Sequence, residues 1–243
     1  MRIAGGNSQL PEAMATALGD RLRLSAPVTR IEHDAGGVRV HVGDGTMIDA
    51  AHLVLALPMM PLRRVQFAPA LPTAAAAMVA QLDLGAAVKV IHQYSARFWE
   101  AASVPGFTLT DLPFHVAWAA TDSYASNGGI LSQFVTGRAA RTAVRLSDAR
   151  RIATFGHQLD RVYPEGKPLR THLAATMAWA NEPYTGGGYA AYRPQQMVPF
   201  WPMLREGVGR IQFAGEHTEA LAGYMESAVR SGHRVATTLV QRG

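Results

Sequence analysis

The densest group of residues that could do chemistry lies in the C-terminal stretch FAGEHTEALAGYMESAVRSGHRVA, residues 213–236. Glu216, His217 and Glu219 fall within four positions, and Gly223-Tyr224 then leads into a segment with helical spacing. Three functions fit such a stretch. It could bind a metal ion, supply an acid–base pair, or form a loop before a helix whose end holds an anionic group.

The first of these, a metal site, lacks the required spacing. The order Glu-His-Thr-Glu from 216 to 219 is not the H-E-x-x-H pattern that puts two histidines on one helical face. No two of the nine histidines are four residues apart, and the sequence has no cysteine. Thiolate zinc sites, disulfides and a cysteine nucleophile are therefore excluded, and no G-x-S-x-G elbow is present. We predict no metal.

A glycine-rich segment at 186–191, GGGYAA, matches the dinucleotide pattern G-x-G-x-x-A by its letters alone. That pattern binds a pyrophosphate only where it joins a strand to a helix. Polar residues and Pro183 precede the segment, and Pro194 follows it. We therefore predict a loop whose glycines let the backbone lie against a flat neighbour.

The loop-and-helix interpretation of residues 213–236 is stronger. A glycine before a helix leaves the first N–H groups bare, and the helix dipole adds partial positive charge there. Apolar and small residues at 225, 228, 229, 232, 235, 236, 239 and 240 predict one apolar face. On it, Ala228, Gly232 and Ala236 form a small-residue strip that would let a neighbour approach closely.

Hydrophobic periodicity predicts a mixture of helices and strands along the rest of the chain. Strands at 28–31, 38–42 and 47–50 form a meander, 52–57 is a strand buried on both faces, and 61–72 is a connector. Helices are predicted at 12–18, ended by Gly19, at 73–82, and from the N-cap Ser147 to Val162. Strands at 88–94 and 129–136 belong to a second sheet, and 210–214 is a further strand.

Composition indicates a globular protein with no nucleic-acid partner. The 243 residues are 48% hydrophobic and 17% charged, and the net charge of +5 comes from scattered arginines rather than a basic run. The longest apolar stretches fall far short of the roughly 20 residues that a membrane span needs. No signal peptide is recognisable, so we expect a cytoplasmic protein without a membrane partner.

Several segments, in order along the whole chain, resemble the flavin-dependent amine oxidases of the monoamine oxidase family. They are GGNSQLPEAMATALGDRLRLSAPVTRIE, VRVHVGDGTMIDAAHLVLALP, LGAAVKVIHQYSARFW, AWANEPYTGGGYAAYRP, FAGEHT and GYMESAVRSG. The resemblance implies an α/β fold of mixed α+β character, the C-terminal part of a two-domain FAD-binding fold. Residues 1–62 and 176–243 would belong to the FAD domain, and 63–175 to an inserted substrate domain.

The resemblance also implies three catalytic positions. Lys89 matches a lysine that holds a water at flavin N5. Tyr189 and Tyr224 match two aromatic walls that flank the amine in front of the flavin. Such rings would align a partly desolvated amine with its α-carbon facing N5.

The same resemblance implies further contacts with the cofactor. Trp179 matches a tryptophan beside the isoalloxazine ring, and Gly215 and Glu216 match the turn near the pyrophosphate and ribityl. Gly223 and Tyr224 precede the helix, and the N–H of Met225 would face the flavin O2/N1 edge. Val28 matches a residue whose backbone meets the adenine.

The sequence departs from the family pattern at two points. Gly188 stands where covalently flavinylated members have cysteine, so we expect noncovalent FAD. The N-terminal strand–GxGxxG–helix segment and its ribose-binding acid are missing from the chain. We expect either a subunit whose partner chain supplies that half or a fragment, and we favour the subunit. Alone, the chain would bind FAD weakly and expose a large apolar surface.

The expected reaction is oxidation of a primary or secondary amine to an imine, with dioxygen or another compound as the final acceptor. Two alternatives stay open. The chain could be a subunit of an L-amino acid oxidase, whose substrate carboxylate needs an arginine clamp. It could also be a catalytically silent scaffold or regulatory subunit without flavin.

Overall fold

The computed structural model describes residues 3, 5–101, 106–121 and 125–242 as a mixture of helices and sheets. The α-helices are α1 Gln9–Leu18, α2 Met59–Leu62, α3 Thr73–Gln81, α4 Phe98–Ala101, α5 Gly137–Ala143, α6 Asp148–Val162, α7 Met197–Glu206 and α8 Met225–Arg242. The strands are β1 Val28–His33, β2 Val38–Val42, β3 Met47–Ala50, β4 Leu53–Leu55, β5 Gln66–Ala68, β6 Asp83–Leu84, β7 Ala87–Tyr94, β8 Phe107–Leu109, β9 Val116–Ala119, β10 Gly129–Thr136, β11 Arg170–Ala178, β12 Ala190–Ala191 and β13 Ile211–Phe213.

The predicted meander is confirmed and forms a four-stranded sheet in the order β3-β2-β1-β5. β1, β2 and β3 pair antiparallel, and Asp34 closes the first turn by accepting from the N–H groups of Gly36 and Gly37. The expectation of a plain connector at 61–72 is wrong. That segment contains the end of α2 and strand β5, which pairs parallel with β1.

The predicted strand at 52–57 is present as β4, but its surroundings differ from the prediction. β4 pairs in parallel with β13, and these two strands make up their sheet within the described residues. Leu55 is buried, whereas the side chain of Val54 is 40% exposed. The apolar run predicted burial on both faces; Val54 on β4 is exposed, whereas Gln212, its partner on β13, is buried.

The second predicted sheet is confirmed, with five strands in the order β11-β7-β10-β9-β8. The strands at 88–94 and 129–136 are its two central members and pair antiparallel. Helix α6 begins after the predicted N-cap, where the Ser147 hydroxyl accepts from the N–H of Arg150. Phe155 and Leu159 of α6 pack with one face of this sheet. Residues of the opposite face, such as Lys89 and Phe134, are half-buried.

Two hydrophobic cores hold these sheets. One joins the residues of the second sheet with α5 and α6, between 88 and 178. The other joins residues 31–82 with 200–213, so that α3 packs with the four-stranded sheet and α7. The domain boundaries at 62/63 and 175/176 stay a prediction.

Helix α8 exists as predicted, but the expectation about its buried face is wrong. The buried side chains are Ser227, Ser231 and Val235. The predicted strip of Ala228, Gly232 and Ala236 is exposed, as is Val229 at 51%. The two serines can be buried because their hydroxyls bond to backbone groups, so the apolar face is left toward solvent.

Helix α1 also leaves its apolar residues uncovered. None of its ten residues is buried, and Met14 and Leu18 are exposed. Among the described helices, none combines the length and the apolar character that crossing a membrane would need.

Candidate functional site

Lys89 lies on the face of the five-stranded sheet opposite α6, as the alternation of β7 requires. Its neighbours Val88 and Val90 are buried on the α6 side, which turns Lys89 to the other side. Phe134 on β10 and Met177 on β11 stand directly opposite Lys89 and share its face. In the described part of the chain no carboxylate pairs with the Lys89 ammonium.

Aromatic rings surround Lys89 on this face and connect it to Tyr189. The Lys89 Nζ lies over the ring of Trp118, 5.5 Å from its centroid. The Phe134 ring lies 6.4 Å from the Trp118 ring and 6.4 Å from the Tyr189 ring. We call Lys89, Trp118, Phe134 and Tyr189 the sheet-face cluster. Sequence reasoning missed Trp118 and Phe134, whose only local signal is their alternate positions in two strands.

The glycine run before Tyr189 is a packed loop, as predicted, and not a nucleotide cradle. It follows a turn and precedes the two-residue strand β12. A Cβ on Gly187 would lie 2.3 Å from the Leu84 Cβ, and one on Gly188 2.5 Å from the Ala87 Cβ. The glycines therefore let this loop lie directly on the chain at 84–87, where Gly85 bonds to Gly188 and Tyr189 through their backbones.

Glu216 joins the Tyr189 loop to the turn before α8. Its Oε1 accepts from the N–H of Ala190 at 2.8 Å, and its Oε2 accepts from the N–H of Gly223. Gly223 has a φ of 89°, a conformation that favours glycine. A Cβ on Gly223 would be 3.6 Å from the Tyr189 Cβ, so the two loops are in contact.

The start of α8 has free donors. The N–H groups of Tyr224, Met225 and Glu226 find no acceptor among the residues that the structure describes. Together with the helix dipole they favour an acceptor or negative charge at this end. The Tyr224 side chain beside them is 65% exposed.

The other members of the initial acidic cluster have structural partners. His217 is buried with its backbone oxygen accepting from the Tyr192 hydroxyl at 2.7 Å. Glu219 pairs with Arg205 at 2.7 Å and with Arg234 at 2.9 Å, which fixes α8 to α7. Both residues are therefore engaged with other parts of this chain, His217 with Tyr192 and Glu219 with α7 and α8.

Burial changes the pKa of two groups in this region. It lowers the pKa of His217 to about 4, so the imidazole is neutral at pH 7. Burial, together with the charge of Glu216, raises the pKa of Tyr192 to about 12. At pH 7 the His217 imidazole is therefore neutral and the Tyr192 hydroxyl keeps its proton.

Three further predicted cofactor residues lie at different places in the fold. Trp179 follows β11, whose last residue, Ala178, pairs with Val88 next to Lys89. Val28 lines a separate groove of about 510 Å³ with Leu57 and Tyr184. Gly215, with a φ of 130°, lies at the end of β13, where its N–H donates to the Ser231 hydroxyl at 2.7 Å.

The structure thus brings most of the predicted residues together. Gly215, Glu216, Gly223 and Tyr224 lie in the segment between β13 and α8, and Met225 is the first residue of α8. Glu216 connects this segment to Tyr189 through Ala190. The sheet-face cluster extends from Tyr189 to Lys89. Within the described ranges no group of three metal-ligating His, Asp or Glu side chains converges.

A family model, related sequences and solved structures of amine oxidases or amine oxidoreductases match this chain. The family model for flavin containing amine oxidoreductase matches residues 1–240. Amine oxidase [flavin-containing] B of Cavia porcellus is 30% identical over 240 residues, and that of Homo sapiens 29% over 243. Among solved structures, putrescine oxidase superposes with a TM-score of 0.90 at 26% identity. Cyclohexylamine oxidase from Brevibacterium oxydans IH-35A gives 0.89 at 27% identity.

The chain spans about half the length of these proteins. The alignments cover 97% and 98% of this chain, but 46% of the Cavia porcellus protein and 47% of the human one. The two structural superpositions each cover 98% of this chain and 53% of the other.

Proposed function

Since the chain belongs to the flavin-containing amine oxidoreductase family, we propose that it forms part of an FAD-dependent amine oxidase that holds its FAD noncovalently. The observation that carries this proposal is the Glu216 connection between the Tyr189 loop and the turn before α8. It places two aromatic residues and the free N–H groups of a helix end in one region. The sheet-face cluster then adds a lysine without a carboxylate partner in the described chain.

The residues of this region fit a flavin. The three free N–H groups at the start of α8 are donors for an oxygen or nitrogen that becomes negatively charged on reduction. The glycine at 223 leaves the backbone there accessible. Because the sequence has no cysteine, this chain itself cannot form a thioether link to the cofactor.

When bound, the flavin supplies the hydride acceptor for oxidation of a primary or secondary amine to an imine, and passes the electrons to dioxygen or another acceptor. Tyr189 and Tyr224 would flank the amine and orient it. Lys89 would hold a water next to the reacting atoms. No general-base carboxylate would be needed if the amine binds in its neutral form.

We further propose that a partner chain supplies the dinucleotide-binding half. Three apolar surfaces support this: α1, the strip on α8, and Val54 beside the two-stranded parallel sheet. Exposed apolar patches are typical of interaction sites. Parallel strands are normally buried on both faces, so further strands and helices from the partner would complete the β4–β13 sheet.

Two alternative functions can be distinguished from this proposal: an L-amino acid oxidase by the substrate it oxidises, and a scaffold protein without flavin by its absorbance spectrum. An L-amino acid oxidase would need an arginine aimed at the substrate carboxylate, and the sheet-face cluster contains only Lys89 as a cation. A silent scaffold would need no flavin. The cytoplasmic location stays a prediction.

The test is purification of the tagged full chain from its native host, with an absorbance spectrum and mass analysis of any copurified chain. We expect flavin bands, a second chain with a GxGxxG segment, and bleaching of the bands by a primary amine without oxygen. Absence of flavin from both the chain and its complex would overturn the proposal.

The role of Lys89 is tested in the same complex with Lys89→Met. Lys167, the other lysine of the sequence, is exposed and offers the matched control Lys167→Met. We expect slower reoxidation of the reduced flavin by dioxygen only in Lys89→Met. Equal reoxidation rates in both variants would remove Lys89 from the mechanism.

A further inference from the structure

The carboxylate of Glu216 has both oxygens engaged by backbone N–H groups from two different loops. Oε1 accepts from Ala190, 26 residues away in sequence, and Oε2 accepts from Gly223, seven residues away. Hydrogen bonds to an ionised acceptor are stronger than neutral ones. In the described chain no arginine or lysine pairs with Glu216, so these two N–H groups are its principal partners.

The two N–H groups that donate to Glu216 belong to residues next to Tyr189 and Tyr224. Ala190 directly follows Tyr189, and Gly223 directly precedes Tyr224. A single side chain therefore fixes the backbone next to both tyrosines. A Cβ added to Gly223 would lie 3.6 Å from the Tyr189 Cβ, so the two loops are close together.

Glu216 is itself held on a rigid base. The preceding Gly215 donates its N–H to the Ser231 hydroxyl, and that hydroxyl donates to the Ala228 carbonyl in α8. On the other side, Thr218 donates to the Gly215 carbonyl through its N–H at 3.0 Å and its hydroxyl at 2.9 Å. The turn is thus bonded to α8, and its carboxylate reaches from there to both loops.

We propose that Glu216 is a positioning residue that fixes the spacing between Tyr189 and Tyr224. A carboxylate is suited to this because it offers two acceptor oxygens in one plane. Glutamine has one acceptor oxygen and a donor amide, so it can keep only one of the two bonds. The consequence for amine binding rests on the proposed function, whereas the connection between the loops does not.

The test is amide hydrogen exchange by NMR on the full chain, comparing wild type, Glu216→Gln and Glu216→Ala. In Glu216→Ala we expect the Ala190 and Gly223 amides to exchange together, faster by roughly tenfold or more, as for a lost charge-assisted hydrogen bond. In Glu216→Gln we expect one of these amides to stay protected and the other to exchange as in Glu216→Ala. Glu226→Gln, in the exposed pair with Arg230, is the matched control and should leave both amides unchanged.

The Ala214 amide, which donates to the Leu55 carbonyl at 3.1 Å, reports whether the neighbouring strand stays folded. Unchanged protection there, with faster exchange at both 190 and 223, supports the proposal. Unchanged exchange at either of the two amides in Glu216→Ala overturns it. Failure to find flavin in the purified complex would overturn the proposed function alone, because the exchange result needs no cofactor.

Discussion

The ammonium of Lys89 lies over the indole ring of Trp118, with Nζ 5.5 Å from the ring centroid. An aromatic face attracts a cation through its quadrupole, an interaction of about 0.5–1 kcal/mol at partly exposed sites. The two residues are far apart in sequence and meet only because β7, β10 and β9 are adjacent in the sheet. Trp118 therefore favours the direction in which Lys89 extends over this face of the sheet.

We predict that Trp118→Leu releases the Lys89 ammonium. Reductive methylation with ¹³C-formaldehyde labels the side chains of Lys89 and Lys167, the only two lysines of the sequence. In the wild type the indole ring current should shift the Lys89 methyl signal upfield of the Lys167 signal. In Trp118→Leu we expect the two signals to coincide, and in Trp118→Phe part of the shift should remain.

Two further variants complete this measurement. Lys167→Arg identifies the Lys89 signal by removing the other one. Trp201→Leu, at a tryptophan beside Arg205 in α7, is the control and should leave the signal in place. A Lys89 signal that does not move in Trp118→Leu would contradict the contact.

The strands and helices with local patterns were predictable from the sequence. β1 to β3 follow alternating residues and turn signals, and α6 follows the cap at Ser147, because these patterns act over a few residues. The contact between Lys89 and Trp118 depends on strand order and register across the sheet, which no local pattern specifies. It was therefore beyond sequence reasoning.

The buried face of α8 was mispredicted for a different reason. Both sides of this helix carry small or apolar residues, so periodicity alone could not choose between them. Ser227 and Ser231 turn inward because their hydroxyls bond to the Leu221 and Ala228 carbonyls, and Ser231 also accepts from Gly215. Most candidate site residues came from the family resemblance, since taken singly Tyr189 and Tyr224 resemble ordinary aromatic residues.

We predict that His92 makes the chain less stable as the pH falls from 7.5 to 5. Its side chain is 2% exposed, and its Nε2 has no hydrogen-bond partner among the described residues. Burial, aided by repulsion from Arg170 and opposed by Asp160, lowers the pKa of His92 from 6.5 to about 4. Between these values the unfolded chain binds a proton that the folded chain does not, so stability is full above pH 6.5 and decreases below it.

The expected loss for His92 is about 2 kcal/mol between pH 7.5 and 5. Urea unfolding at the two pH values measures it. The buried His217 has a similarly lowered pKa of about 4 and should cause a similar loss of stability. Because glutamine cannot titrate, His92→Gln should therefore remove about half of the total loss that the two buried histidines cause. His172→Gln, at an exposed position, is the control. If His92→Gln retains the full pH dependence, His92 is protonated in the folded chain or accessible to solvent.

Two glycine-to-alanine changes should have opposite effects on stability. Gly187 is buried, and an added Cβ would lie 2.3 Å from the Leu84 Cβ, so Gly187→Ala forces the loop before Tyr189 away from the chain beneath it. We expect the free energy of unfolding to fall by about 1–3 kcal/mol, as for other overpacked sites. Gly232 lies in the interior of α8 with nothing within 4 Å of the added Cβ. Gly232→Ala should raise the free energy of unfolding by about 0.5–1 kcal/mol through helix propensity.

Urea unfolding measures both effects. If the slope of the free energy of unfolding against urea concentration is unchanged, the substitution has altered stability and not the compactness of the denatured state.

Gly232 belongs to the exposed strip that we propose to contact the partner chain. The gain in the isolated chain should therefore be accompanied by weaker association, since an added methyl prevents the closest approach of a neighbouring backbone. A Gly187→Ala variant as stable as the wild type would mean that the glycine loop does not rest on residues 84–87.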